Sequence, residues 1–256
     1  MAIAARSASI TLLGLAIPLV VGSQDAAALY KEGLRLFSER QPQAAVAALR
    51  QSVALQPANA LVWKALGVVH ASQGDYESAE PAFRNACERQ PALEDACLYH
   101  GRSLYLLDRF PAALDALHRA LALRETGEAR RLLALSLEAL GRPQEAEPEF
   151  RAAIRATGKT SPEEDPGIDY GVFLYRQARP EQSLEPLRAA LERHPNSARA
   201  HLELGCVLLS LNQLDDAAAH LERSLALRDA PRTHLLLGKT YLRQGKPQAA
   251  EPHLKR

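Results

Sequence analysis

Residues 60–93 read ALVWKALGVVHASQGDYESAEPAFRNACERQPAL. Trp63, Leu66, Gly67 and His70 recur at steps of three and four residues, and so do Ala79, Phe83 and Ala86 after the Gln73-Gly74-Asp75 turn. Steps of this size place side chains on one face of a helix, so the stretch predicts two amphipathic helices joined by a short turn and ended by Pro91. Such a pair can hide its apolar stripes only against itself and a neighbour. Gly67 and Ala79 are small enough to let the backbones approach, and Phe83 fills the space between the helices.

The same pattern runs through the chain. Gly33, Gly67, Gly101, Ala134, Gly171, Gly205 and Gly238 are separated by 34, 34, 33, 37, 34 and 33 residues. Small residues follow each at twelve positions (Ala45, Ala79, Ala113, Ala146, Ser183, Ala217, Ala250) and bulky ones four further on (Leu49, Phe83, Leu117, Phe150, Leu187, Leu221, Leu254). Pro42, Pro143, Pro180 and Pro247 stand where second helices should begin, at positions whose amide would be unbonded anyway. The unit resembles the tetratricopeptide repeat, a 34-residue helix–turn–helix whose pattern has an aromatic where this copy has His70. The resemblance implies an all-α fold, a right-handed α-solenoid of about seven units with the last one truncated. On that register the array spans 24–256, with repeats near 26–59, 60–93, 94–126, 127–163, 164–197, 198–230 and 231–256. Leu254 and Tyr241 in the short last unit are expected to be poorly covered, leaving that end open to association.

Residues 1–23 read as a secretory leader: Arg6, an uncharged run from Ile10 to Val21, and small residues at Gly22 and Ser23 before a cut at Gln24. About a dozen apolar residues interrupted by Pro18 fall short of the roughly 20 that span a bilayer. Cleavage would leave no stable membrane span and would place the protein outside a bacterial inner membrane, periplasmic or secreted. The 256-residue chain is 47% apolar and 24% charged, with a formal charge of +1. A neutral chain without a basic block offers little to phosphate backbones, which argues against nucleic acid as a partner. Glycine and proline are spread evenly, so composition marks no internal domain boundary.

Little in the chain points to chemistry. No nucleophile elbow, Gly-rich phosphate loop or HExxH helix is present, and a non-enzymatic protein without a cofactor is expected. Gly158-Lys159-Thr160 has the look of a phosphate-loop ending, but Ala153 stands where the loop needs its first glycine; a lengthened surface turn accounts for it, and the joint at 157–165 should be soft. Glu163-Glu164-Asp165 reads as a solvated acidic run. Cys87 and Cys97 flank a turn and can reach bridging range, or can remain two buried thiols. Cys97, His100 and His70 do not make up a metal's ligand set, and no metal is expected. The other histidines, His118, His194, His201, His220, His234 and His253, show no partner pattern.

The resemblance also implies a partner site. In the family the first helices line a concave groove that takes peptides or extended protein segments. The corresponding residues are Tyr30, Phe37, Lys64, Leu98, Arg102, Tyr105, Arg131, Tyr175, Arg176, Arg199, Lys239 and Arg243. Rigid aromatics and forked guanidinium groups are common interface anchors, so the expected ligand is a protein or extended peptide with apolar side chains and some acidic character. A family subtype that clamps C-terminal carboxylates needs asparagines where this chain has Val68 and Tyr99, although Lys64 matches. The groove reading therefore implies a scaffold. A substrate-recruiting array of an enzyme complex, and a structural subunit of an envelope, secretion or pilus assembly, are the alternatives.

Overall fold

The computed structural model describes residues 16–93, 95–156, 158 and 160–255, with side chains from Gln24 onward. Regular structure among the described residues is entirely helical. The helices are α1 (Ala16–Ser38), α2 (Pro42–Leu55), α3 (Ala60–Ser72), α4 (Tyr76–Arg89), α5 (Ala96–Leu106), α6 (Phe110–Leu123) and α7 (Gly127–Ala139). They continue with α8 (Pro143–Arg155), α9 (Pro166–Arg176), α10 (Pro180–Arg193), α11 (Ala198–Ser210), α12 (Leu214–Leu227), α13 (Pro231–Arg243) and α14 (Pro247–Leu254). Odd and even helices alternate as first and second members of helix–turn–helix pairs. Of the expected leader, residues 1–15 lie outside the described residues, and 16–23 are the beginning of α1.

Why the glycine register recurs is visible in the packing. A methyl group added at Gly67 would lie 2.7 Å from the Phe83 ring, and the same approach of a leucine side chain recurs at Gly33, Gly101, Gly171, Gly205 and Gly238. The small residues that follow, Ala45, Ala79, Ala113, Ala146, Ser183, Ala217 and Ala250, are all fully buried. Six of the seven pairs therefore close on one contact, a bulky side chain of the second helix seated on the bare backbone of the first, and Ala134 takes the glycine's place in the α7–α8 pair.

Start and stop signals are equally local. Asn59, Thr126, Asp165 and Ser197 cap first helices with side-chain oxygens that accept amide hydrogens. Pro42, Pro143, Pro180 and Pro247 open second helices that have no side-chain cap. Every turn within a pair holds one residue at positive φ: Arg40, Gly74, Asp108, Gly141, Ala178, Asn212 and Gly245. In each turn the next amide donates to a carbonyl five residues back, as Asp75 does to His70 at 3.1 Å and Arg179 to Leu174 at 3.0 Å. This is the closure that a left-handed residue makes possible.

The chain divides into two compact units, Met1–Ala120 and Leu121–Arg256, a division that composition does not mark. In the first, Tyr30, Phe37 and Trp63 pack on a core of Ala45, Leu49, Val53, Val62, Leu66, Val69 and Ala82. Ser52 Oγ donates to the Ala26 carbonyl at 2.7 Å, and Cys87 of α4 is bonded to Cys97 of α5, with their Cα atoms 4.8 Å apart. In the second unit, Ile168, Leu187, Leu204, Val207 and Leu208 form the central core, and Ser224 Oγ repeats the serine contact with the Ala198 carbonyl at 2.8 Å.

In the described part of the joint, Ser161, Pro162 and Glu164 are exposed, as a solvated acidic run would be, but Asp165 is not. Asp165 is fully buried: it caps α9 through the Gly167 amide at 2.8 Å and takes two hydrogen bonds from Arg193, both 2.8 Å. Ser197 Oγ donates to the Pro162 carbonyl at 2.9 Å, and Arg199 donates to the Glu163 carbonyl at 2.8 Å. The acidic run is thus divided by role, because its last carboxylate is the start signal of a helix and needs a guanidinium once buried. Thr157 and Lys159 lie outside the described residues.

Candidate functional site

In the first unit, the groove positions fall into two groups. Tyr30 and Phe37 lie half-buried against the core, where their rings extend the packing of α1 on α3. Lys64 sits with its Nζ 5.8 Å from the centre of the Tyr99 ring, so Tyr99, which replaces an asparagine of the carboxylate clamp, is used as an aromatic platform. Tyr105 packs against Phe110 with ring centres 5.9 Å apart. Leu98 is a correction: at 6% exposure it has almost no surface to offer a partner, because it faces the stack.

A cleft of about 300 Å³ opens beside Lys64 and Tyr99, lined by Val68, Ala71, Ser72, Tyr76, Phe83, Tyr99, Arg102 and Ser103. α3 and α5 supply its walls, and α4 supplies Tyr76 and the edge of Phe83. The residue under Gly67 thus serves twice, closing the pair and flooring the cleft. Arg102 is the cationic group of an otherwise mostly apolar and aromatic lining. Tyr76 was not among the expected site residues, because it opens a second helix and the groove reading looked only at first helices.

In the second unit the cations are held by carboxylates of the same surface. Asp169, whose side chain is 4% exposed, receives Arg131 from α7 and Arg199 from α11 in two short ion pairs. One helix pair further on, Glu203 takes both amino groups of Arg232, at 2.7 and 3.1 Å. Arg176 reaches Glu138 at 3.3 Å, and Arg243 donates to the Leu209 carbonyl at 2.8 Å and to Asn212 Oδ1 at 2.7 Å. Lys239 is exposed. The picture of an apolar face dotted with available cations is therefore corrected here: the acids at Glu138, Asp169 and Glu203 hold much of the positive charge. Asp169 and Arg199 stand 30 residues apart in the chain and Glu203 and Arg232 29, separations that only the stacking of the pairs turns into contacts.

Tyr175 stands beside Cys206 on α11, and burial pushes both the phenol and the thiol above their ordinary values. A thiol displaced upward is protonated at neutral pH and is a poor nucleophile. The histidines provide another correction. His201 and His220 meet at 2.9 Å and His234 and His253 at 2.8 Å, so four of those read as unpatterned are paired. Each pair is 19 residues apart, the distance from the first to the second helix of one unit. Among the described residues no group of three or more His, Cys, Asp or Glu side chains is arranged to hold a metal ion.

The family model of the tetratricopeptide repeat matches residues 25–94, 99–160, 174–232 and 202–256. This chain belongs to the tetratricopeptide repeat family. Among curated proteins it is similar to human interferon-induced protein with tetratricopeptide repeats 2, 29% identical over 139 residues. That match covers 51% of this chain and 29% of the human protein, so the chain spans under a third of that relative's length. A tetratricopeptide repeat protein from Parabacteroides merdae superposes with a TM-score of 0.71 at 16% identity, covering 91% of each chain. PilW, a type IV pilus biogenesis factor, superposes with a TM-score of 0.67 at 21% identity, over 76% of this chain and 90% of PilW. Such likenesses establish the fold. The tetratricopeptide array is a scaffold suited to binding proteins or peptides and is generally non-catalytic. No helix among the described residues is long and apolar enough to cross a membrane.

Proposed function

We propose that this protein is a non-enzymatic scaffold that takes an extended peptide or protein segment on the first-helix face of its first unit. The observation that carries the reading is the cleft between α3, α4 and α5. It has the size for one apolar side chain, a lining of Val68, Tyr76, Tyr99 and the largely buried Phe83, and Arg102 among the lining residues. Aromatic walls contribute large rigid contact area, and a guanidinium favours an acidic residue next to the apolar anchor.

Peptide arrays followed by calorimetry test this. An apolar-plus-acidic peptide should bind, and Tyr99→Ala or Arg102→Ala should weaken it by roughly 1–2 kcal/mol each, as anchors do. Full affinity in both variants, in protein that remains folded, rejects the cleft.

The second part of the reading is location. The leader pattern at 1–23 and the Cys87–Cys97 bond both suit an exported protein, because structural disulfides persist in oxidising compartments. The likeness to PilW adds an envelope assembly as the setting in which such a scaffold would serve. N-terminal sequencing of exported material should begin at Gln24, and a start at Met1 or Ala2 rejects cleavage. Affinity capture from envelopes would distinguish a pilus or secretion complex from an enzyme complex that uses the array to recruit substrate.

A further inference from the structure

Four of the chain's eight histidines meet in two successive hairpins of the second unit. His201 on α11 faces His220 on α12, Nδ1 to Nδ1 at 2.9 Å, and His234 on α13 faces His253 on α14 at 2.8 Å. In each pair the first-helix ring is held by its other nitrogen. His201 Nε2 lies 3.1 Å from the Pro195 carbonyl, and His234 Nε2 lies 2.8 Å from Asp229 Oδ1. Both of these partners accept, so Nε2 carries the hydrogen and, in the neutral ring, Nδ1 presents a lone pair. The opposing Nδ1 must then supply the proton between them.

The ring geometry selects a proton over a metal. Ring centres are 5.2 and 5.1 Å apart, longer than the nitrogen separations by about two ring radii. The nitrogens therefore lie on the line between the centres, head-on, as in one N–H···N hydrogen bond. Two ligands of a tetrahedral ion would instead aim their lone pairs at a point to one side of that line.

We propose that the His201–His220 pair is an acid-labile clasp that holds its hairpin closed and releases as pH falls below the ordinary histidine range, the His234–His253 pair being a second contact of the same geometry. One added proton enters the outer Nε2 of His220 and leaves the bond standing with a charged donor. The next has only Nδ1 of His201 to enter, after which two N–H groups oppose each other and the rings separate. The titration belongs to the pair. Facing the clasp are Asp216 and Arg223 on α12 and Arg188 on α10. Facing the second contact are Asp229 and the Tyr241 ring, 5.8 Å from His253, whose hydroxyl is bonded to Glu222 of α12. Burial first, with Arg223 acting on His201, and with His201 and Arg188 acting on His220, pushes the His201–His220 pair below the ordinary histidine value; the Pro195 carbonyl on His201 and Asp216 on His220 oppose this only in part. A depressed value means that the folded pair binds fewer protons than the unfolded chain. Its stabilisation is complete above the ordinary value of about 6.5 and is lost as pH falls through the depressed one.

Amide hydrogen exchange on the full chain at about pH 7.5 and about pH 5, corrected for the intrinsic pH dependence of exchange, reads the clasp directly. Protection in α11 and α12 should fall roughly ten-fold or more relative to α7 and α8 in the parent, and should not change with pH in a His220→Gln variant. An equal fall in both proteins, or none in the parent, overturns the proposal. Should the variant not fold, histidine side-chain NMR of the parent decides. A coupled two-step titration of His201 and His220 is expected, and two independent single-step curves near the ordinary value overturn it.

Discussion

A glycine facing a phenyl ring is the smallest unit of this architecture. The ring of Phe83 cannot yield as a leucine tip can, so Gly67→Ala sets a gain in helix propensity of about 1 kcal/mol against overpacking of about 1–3 kcal/mol. A net loss of about 1 kcal/mol is expected in chemical denaturation, and a stabilised variant would contradict the packing. The turns give the opposite case. Ala178 holds φ at 56° and Gly141 at 70°; a side chain in this region costs about 1–2 kcal/mol. Gly141→Ala should therefore destabilise by about 1 kcal/mol, while Ala178→Gly should be neutral or stabilising, because glycine's extra freedom in the unfolded chain offsets part of the relief. The glycine and alanine register was legible from spacing alone. The left-handed turn residue was legible only at the glycines, such as Gly74 and Gly141. Asp108 and Asn212 tolerate it better than most side chains, whereas Arg40 and Ala178 adopt it because the two flanking helices dictate the closure against the side chain's own preference.

At the scale of helices, charged side chains tie neighbouring pairs together. Glu147 on α8 receives Arg179 from the start of α10 at 2.7 Å and the Tyr170 hydroxyl of α9 at 3.0 Å, and with Arg179 as the leading cause its carboxyl is held at about 2. A depressed value means that the contribution is present above the ordinary carboxylate range, near 4.5, and is lost as pH falls toward 2. Urea unfolding of Glu147→Gln should show a loss of about 1–2 kcal/mol at neutral pH that narrows in acid; a loss independent of pH would mean packing rather than charge. Asp165 shows what spacing could not reveal. A carboxylate before Pro166 is a plausible helix start, and that much was readable. Its pairing with Arg193, 28 residues away, depends on how α10 returns over α9, and local sequence does not encode that return. The cysteines behave similarly: ten residues of separation allowed a bond, and the α4–α5 turn brings them together. Opening it with a reductant should cost about 2–3 kcal/mol by the loop-entropy argument.

At the scale of the molecule, stability is expected to be a sum over neighbours rather than one event. The single tryptophan, Trp63, lies in the first of the two compact units. Its fluorescence should therefore report that unit alone, while helical circular dichroism reports both. Reductant should move the fluorescence transition more than the helical one; coincident transitions that shift together would show the chain unfolding as a single block. The family and the pairing of helices were readable from seven repeats of one register, while the electrostatic character of the first-helix faces was not. Asp169 and Glu203 are single letters 30 and 29 residues from the arginines they hold, visible only once the units are stacked. The triad of Arg131, Asp169 and Arg199 has a kinetic side. A visiting carboxylate there cannot simply dock on a waiting cation; it must take the place of a resident one. Recognition of an acidic ligand at this place would be an exchange, gated by how often the resident lets go and favouring visitors that can grip both guanidinium groups at once.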